Sequence, residues 1–422
     1  MDRREFIGGS AASGILLLSS RTAFSYQANS AVRIGLLGCG NRGTTVATSF
    51  AKNTAARIVA LADLFPDQLA AGRAHFDALN ASLGIPAIDP SLMFRGSHAF
   101  EELAASKEVD SIQISTPPWF HVQHLDAVVA AGKHAYCEKP MGVDVAQAKQ
   151  ALEIGKRAQG RLSLDVGFQV RSAPPIAEVV RRIHAGDLGR LVCVSAHYNA
   201  PNAVSHSGAN WSADEFRLRN WLWDRVLSGD ILVEQNIHVI DLCNWILGSH
   251  PVKATATGGR NAVTHAGDTW DNYQVIYTYP KDVHVSFSST QWGNNGFFDV
   301  TERVFGEKGI AEAPYSGPVR IIGDNAWEWK AEGGTTTSAP GTFAANGAFT
   351  DNLEFADREK DRAFIESITS GQFHNQAADG VQSALSAMLG RMAGQSAHEV
   401  TWEEQLAHGE EYTMTIDMSQ FG

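Results

Sequence analysis

Two groups of residues in this sequence suit proton work on a hydroxyl. One is a lysine between a glutamate and a proline; the other is a histidine flanked by carboxylates. In the stretch AGKHAYCEKPMG, Lys139 falls at the C-terminal end of an apolar run with strand character, between Glu138 and Pro140. In open α/β sheets, ligands collect outside such strand ends. An ammonium there can hold a substrate hydroxyl and stabilise the alkoxide that develops as the proton leaves. A salt bridge to Glu138 is the plainer role open to it. In LVEQNIHVIDLCNW, Glu234, His238 and Asp241 recur at i, i+4 and i+7, which puts them on one face of a continuous helix. An imidazole with a carboxylate one turn away can serve as general acid or base, or simply as a satisfied structural histidine.

A third stretch reads as a dinucleotide cradle. GLLGCGNRG sets Gly38, Gly40 and Gly43 in the G-x-G-x-x-G spacing, with Asn41 and Arg42 between the last two glycines. The first glycine permits the tight turn, the second lets a pyrophosphate approach the backbone, and the third allows close helix–strand packing. The helix that follows offers free N–H groups to phosphate. The next apolar strand ends in Asp63, where a carboxylate can take the adenosine ribose hydroxyls. Asp63 would repel a 2′-phosphate, and Leu64 and Phe65 follow it without an arginine, so NAD is expected over NADP.

Elements of two textures must hold these groups in place. VRIGLLG, RIVALAD, VDSIQIS, HAYCE and RLSLDVGF read as buried strands, separated by helical stretches such as FPDQLAAGRAHFDAL. That alternation predicts a parallel sheet with helices on both faces. The later runs RLVCVSAHY, NYQVIYTYP and DVHVSFSSTQW partly alternate with period two, which predicts a mostly antiparallel sheet backed by helices. The expected fold class is α/β: a Rossmann domain over 31–160, then a second α/β domain with a large open sheet over 161–422. Within the second, Trp221 and Trp223, with Tyr198, His206 and Trp211, could wall a sugar face, or pack a long loop. Gln169 and Arg171 in GFQVR could bond hydroxyls, with His374 and Asn375 as weaker pocket candidates.

Of 422 residues, 44% are hydrophobic and 19% charged, with net charge −12 and no block of Lys and Arg. Nucleic acid and anionic membrane surfaces are therefore poor partners, and a small polar molecule is the better one. The four cysteines form no CxxC pair and no zinc spacing, so no metal site and no disulfide is expected. Residues 1–25 read as a twin-arginine export signal: Arg3-Arg4-Glu5-Phe6-Ile7, a short apolar run, then Ala23-Phe24-Ser25. The apolar run is shorter than the roughly 20 residues a membrane span needs. The expected location is periplasmic or secreted.

Taken together these motifs resemble the Gfo/Idh/MocA oxidoreductases, over about residues 31–402. The glycine loop matches at Gly38, Gly40 and Gly43, the Thr-Pro turn and following histidine at Thr116, Pro117 and His121, and the Glu-Lys-Pro at Glu138, Lys139 and Pro140. The family's Asp-x-x-x-His helix matches at Glu234 and His238, with Glu in place of Asp. The resemblance implies cofactor contacts from these N-terminal motifs, and hydride transfer between NAD and a carbinol carbon of a sugar, glycoside or cyclitol. His238 would take the hydroxyl proton while Lys139 polarises the oxygen, or the reverse. Glu234 would orient His238, and Asp241 would join the substrate contacts. Redox-neutral glycoside cleavage, or sugar binding without turnover, are the alternatives, and a homodimer or tetramer is expected. An exported protein must keep its NAD where none is free outside. Tight binding is therefore expected, with a covering element either from Tyr26 to Ser30 or from a neighbouring subunit.

Overall fold

The computed structural model describes residues 31–201, 205–291, 297–330 and 351–422. The proposed signal and the arm from Tyr26 to Ser30 lie outside them.

The first sheet is built from β1 (Arg33–Leu37), β2 (Arg57–Asp63), β3 (Met93–Arg95), β4 (Ser111–Ile114), β5 (His134–Cys137) and β6 (Leu164–Val166), in the order β3-β2-β1-β4-β5-β6. Every pairing is parallel. The connecting helices are α1 (Asn41–Asn53), α2 (Pro66–Ser82), α3 (Ala99–Ala105), α4 (His121–Ala130) and α5 (Val145–Ala158). They cover both faces, which is why Ile34, Leu36, Ile112 and Ile114 are all buried and these short strands read as unbroken apolar runs. The strand order reverses between β1 and β4. The crevice beyond their C-terminal ends is the place where such sheets take ligands.

After α6 (Pro174–His184) the chain forms a second sheet from β7 (Leu191–Asn199), β8 (Lys253–Gly259), β9 (Asn272–Tyr279), β10 (Val283–Thr290), β11 (Asp299–Gly306), β12 (Gly309–Glu312), β13 (Arg320–Gly323), β14 (Trp327–Glu328) and β15 (Val400–Thr401). Its order is β14-β13-β12-β11-β7-β10-β9-β8-β15. The pairings are antiparallel except β10 with β7, which is parallel. Val194, Ala196, Tyr198, Tyr273, Val275, Tyr277, Val285 and Phe287 point to one face at period two and are buried. The helices of this half include α7 (Ala213–Arg219), α8 (Asp230–Glu234), α9 (Ile237–Leu247), α10 (Ala356–Ser370) and α11 (Ala377–Ser396).

Two expectations are corrected. The domain boundary at residue 160 falls too early, because the strand expected in RLSLDVGF is the sixth of the parallel sheet, Leu164–Val166. α10 also crosses to the first domain, where Phe364 and Ile365 join Phe50 and Tyr136 in one buried cluster. The stretch around His238 is two helices. The Ile231 carbonyl accepts from both Gln235 N (3.0 Å) and Asn236 N (2.9 Å), so the turn widens by a residue and α8 ends before α9 begins. Glu234 and His238 therefore do not share a continuous helix face.

Candidate active site

The C-terminal ends of β1, β2, β4 and β5 open into a cavity of about 1230 Å³, whose other wall comes from the second domain. This exceeds the roughly 300–1,000 Å³ of a pocket for one drug-sized ligand and suits a dinucleotide with a small substrate.

At one end lies the glycine loop. Gly38 has φ +95°, and a Cβ there would sit 2.6 Å from the Ser115 carbonyl oxygen. A Cβ on Gly43 would meet the Gly38 oxygen at 2.0 Å, whereas one on Gly40 would meet no protein atom within 4 Å. The open space over Gly40 is the cradle a pyrophosphate needs. No acidic residue occupies the first turn of α1, which begins there at Asn41, so its N-terminus favours an anion. Asp63, 8% exposed, accepts from Cys39 N at 2.7 Å and Phe65 N at 2.8 Å. Burial raises its pKa, and the two N–H groups work the other way. These residues fit NAD.

The fold brings an arginine to this end that local sequence did not show. The Arg219 guanidinium lies 3.9 Å from the Phe65 ring centroid. It is already paired, with Asp67 at 2.8 Å and Glu215 at 2.8 Å, so its charge is answered before any 2′-phosphate arrives.

Arg42 and Glu138 hold each other at the middle of the cleft (2.9 Å), and Arg42 also reaches Asp357 on α10 at 3.3 Å. Tyr136 donates to the same Glu138 oxygen, and buried Lys360 donates to Tyr136. Glu138 is thus spoken for, and the plainer pairing of Lys139 with it does not form. Thr116 and Pro117 line the cavity. His121, 1% exposed, lies with Nδ1 at 3.0 Å from the Pro140 carbonyl and Nε2 at 2.8 Å from that of Thr116. Both ring nitrogens face main chain, so it braces the two loops that carry Thr116 and Lys139.

Beyond the glycine loop, Lys139, Glu234 and His238 line the cavity together. Lys139 Nζ donates to Glu234 Oε1 at 2.5 Å and also to the Glu234 carbonyl. Here the expected role of Glu234 is corrected: the broken helix turns its carboxylate to Lys139, not to His238. The ring of His238 meets Phe168 edge-on, with centroids 6.1 Å apart, and its buried Nδ1 has no protein partner. Burial, then the charges of Lys139 and Arg42, push its pKa well below the ordinary value. The ring is neutral at pH 7 and can accept a proton.

Gln169, Tyr198, His206, Trp211, Trp221 and Trp223 also line the cavity. Arg171 and Asp241 do not. Arg171 binds Asp241 through two nitrogens, at 2.7 and 2.8 Å, and reaches Asp379 at 2.9 Å. Asp241 also accepts from Ser383 at 2.7 Å. This is a structural pair that ties the turn before α6 to α9, with Asp379 and Ser383 of α11 holding its two ends, which corrects the expectation of substrate contacts from either residue. His374 and Asn375 lie elsewhere, near Asp165 and Gly155. Gln235 and Gln291 were missed. Each lines the cavity with a buried, unpartnered Oε1. For Gln291 a signal existed: Val283, Val285 and Phe287 point inward along β10, and the same parity leads to Ser289 and Gln291. Among the described residues no cluster of His, Cys, Asp and Glu is arranged to hold a metal ion, and no helix is long and apolar enough to cross a membrane.

Comparison with known proteins decides the family. Residues 32–166 match the oxidoreductase family with an NAD-binding Rossmann fold, and residues 176–312 match the GFO/IDH/MocA C-terminal domain. The chain belongs to the GFO/IDH/MocA oxidoreductase family. Inositol 2-dehydrogenase of Rhizobium meliloti (strain 1021) is 28% identical over 293 residues, which span 69% of this chain and 78% of that protein. Two solved structures share the fold. Levoglucosan dehydrogenase in complex with NADH and levoglucosan aligns with TM-score 0.67 at 17% identity, over 88% of this chain and 99% of that one. Aldose-aldose oxidoreductase from Caulobacter crescentus aligns with TM-score 0.67 at 19% identity, over 88% and 100%. In this GFO/IDH/MocA oxidoreductase, Lys139 and His238 line the same cavity as Gly40 and Asn41 at the start of α1.

Proposed function

We propose that this protein is an NAD-dependent dehydrogenase of a sugar, glycoside or cyclitol, with Lys139 and His238 acting on the same hydroxyl. The observation that carries the reading is the neutral, unpartnered His238 and a lysine held in position by Glu234, in one cavity with the glycine cradle. When bound, NAD supplies the hydride acceptor. Lys139 has three N–H groups and gives two bonds to Glu234, which leaves one to donate to the substrate oxygen. His238 accepts the hydroxyl proton. The resulting imidazolium faces the charges of Lys139 and Arg42, so it passes the proton on readily. Gln169, Gln235, Gln291 and the tryptophans suit a polyhydroxylated substrate, with amide oxygens for hydroxyls and ring faces for C–H surfaces. The likeness to inositol and levoglucosan dehydrogenases supports that substrate class.

Export through the twin-arginine route, to the periplasm or beyond, with tightly held NAD belongs to this reading and rests on the order of residues 3–25. A homodimer or tetramer is proposed from the family resemblance alone. The test is a panel of cyclitols, sugars and glycosides supplied with NAD and followed by mass spectrometry. Loss of two hydrogens is expected. Lys139→Ala and His238→Ala should each lower turnover by about a hundredfold or more while NAD still binds. Release of an aglycone with no net oxidation would replace dehydrogenation with redox-neutral cleavage.

A further inference from the structure

Residues far from the glycine loop in sequence border the cavity near Asp63. The chain from Tyr412 to Gly422 leaves the second domain, is tied to the N-cap of α5 by Tyr412 N to Asp144 (2.8 Å), and runs back over the first. Two loops receive it. Ser97 N, just after β3, donates to the Phe421 carbonyl at 3.1 Å. At Gly96, with φ +96°, a Cβ would lie 2.7 Å from the same oxygen, so the approach is as close as a glycine allows. On the loop after β2, two residues past Asp63, Phe65 meets Phe421 edge-on with centroids 5.8 Å apart.

α7 runs alongside and is fastened to the same segment. Arg217 donates to Thr415 at 2.9 Å, and Asp214 accepts from Asp417 N and from Gln420, each at 3.1 Å. At its end, Arg219 grips Asp67 and covers Phe65. Phe120, Leu218, Leu227 and Ile416 form a separate small apolar core here, with Leu64, Phe65, Met418 and Phe421 packed on it. Met418, Ser419 and Arg219 line the cavity beside Asp63, Gly96 and Ser97.

We propose that α7 and residues 412–422 are part of the dinucleotide site: a strap that walls the adenosine half and sets how slowly NAD leaves. This rests on the NAD site proposed above and supplies the cover that tight retention demands. The cover comes from the protein's own second domain. Its strength lies in being divided: polar ties at Ser97, Asp67 and Asp214, and a small apolar core beneath them. The dinucleotide cannot swing outward at its adenosine end unless both let go.

The test is the dissociation of NADH, loaded on the full protein and chased with excess NAD, read by fluorescence. Removal of residues 418–422 should speed release by about tenfold or more, the change falling mainly in the off-rate. Phe421→Ala should give a smaller acceleration in the same direction. Melting curves without NADH check that each variant folds. If the truncated protein does not fold, a Met418→Ala/Phe421→Ala variant is held to the tenfold criterion. Release unchanged in a folded variant would overturn the strap. Intact protein that takes up no NADH at all would overturn the dinucleotide reading, and the strap with it.

Discussion

Alanine at Gly40 and alanine at Gly43 should have opposite consequences, though both residues belong to one loop. At Gly40 the backbone has φ −72°, open to any residue, and the added methyl meets no protein atom within 4 Å. Gly40 is also the N-cap of α1, where alanine is worse than glycine by about 0.5–1 kcal/mol. The stiffer unfolded chain returns about 0.4–1 kcal/mol. Gly40→Ala should therefore leave the free protein's stability within about 0.5 kcal/mol of the parent. Its methyl enters the space reserved for pyrophosphate, and affinity for NAD should fall at least tenfold, or about 1.4 kcal/mol. Gly43 is different, since its methyl would lie 2.0 Å from the Gly38 oxygen. A backbone atom cannot move aside as a side chain does. Better helix propensity returns at most about 1 kcal/mol, against overpacking of about 3 kcal/mol or more. Thermal unfolding with and without NAD separates the two. At a concentration 100 times the parent Kd, NAD should stabilise the parent by about 2.7 kcal/mol and Gly40→Ala by about 1.4. Gly43→Ala should be weakened before any NAD is added. Parent-like NAD binding by Gly40→Ala would refute the cradle, and parent-like stability of Gly43→Ala would refute the close helix–strand approach.

Other outcomes follow from the same geometry. Asp63→Ser should weaken NAD binding and relax discrimination against NADP, measured by titrating both; equal binding of the two by the parent would remove Asp63 as selector. Asp241→Ala leaves partly buried Arg171 with only the exposed Asp379 to pair it, so unfolding in denaturant should show a loss of about 1–3 kcal/mol with the substrate KM unchanged; a raised KM in a stable variant would return Asp241 to the substrate site. His238 must be neutral to accept a proton, and its pKa is held well below 6.5. Turnover should therefore be full at neutral pH and fall only as pH drops through that lowered value; an acid limb at or above 6.5 would assign the essential base elsewhere.

The nucleotide half was largely legible because its signals are local. Strand, glycines, helix and acid follow one another within about thirty residues, and each has a backbone reason to be where it is. What failed to show was decided at a distance. The apolar periodicity from Leu232 to Trp245 runs straight through Gln235 and Asn236, and nothing in it marks the widened turn that hands Glu234 to Lys139. Arg171 reads as a free hydrogen-bond donor until folding brings Asp241 beside it, 70 residues on. The strap carried a signal that pointed elsewhere: Tyr412, Met414, Ile416 and Met418 alternate with Thr413, Thr415 and Asp417 as in a strand, yet the segment joins neither sheet, and its meaning comes from Phe65, Ser97 and Asp214 waiting on other elements.

The most direct test of hydride transfer at this site is the fate of a deuterium on the reacting carbon. A cyclitol or sugar found to turn over would be prepared with deuterium at each carbinol carbon in turn and given to the NAD-loaded protein, and the nicotinamide would be examined by mass spectrometry and proton NMR. One position should deliver its deuterium to NAD to give deuterated NADH, with a slower rate from that substrate alone, and Lys139→Ala and His238→Ala should suppress the transfer. Turnover with no deuterium reaching the nicotinamide from any position would contradict a dehydrogenase built around Lys139 and His238.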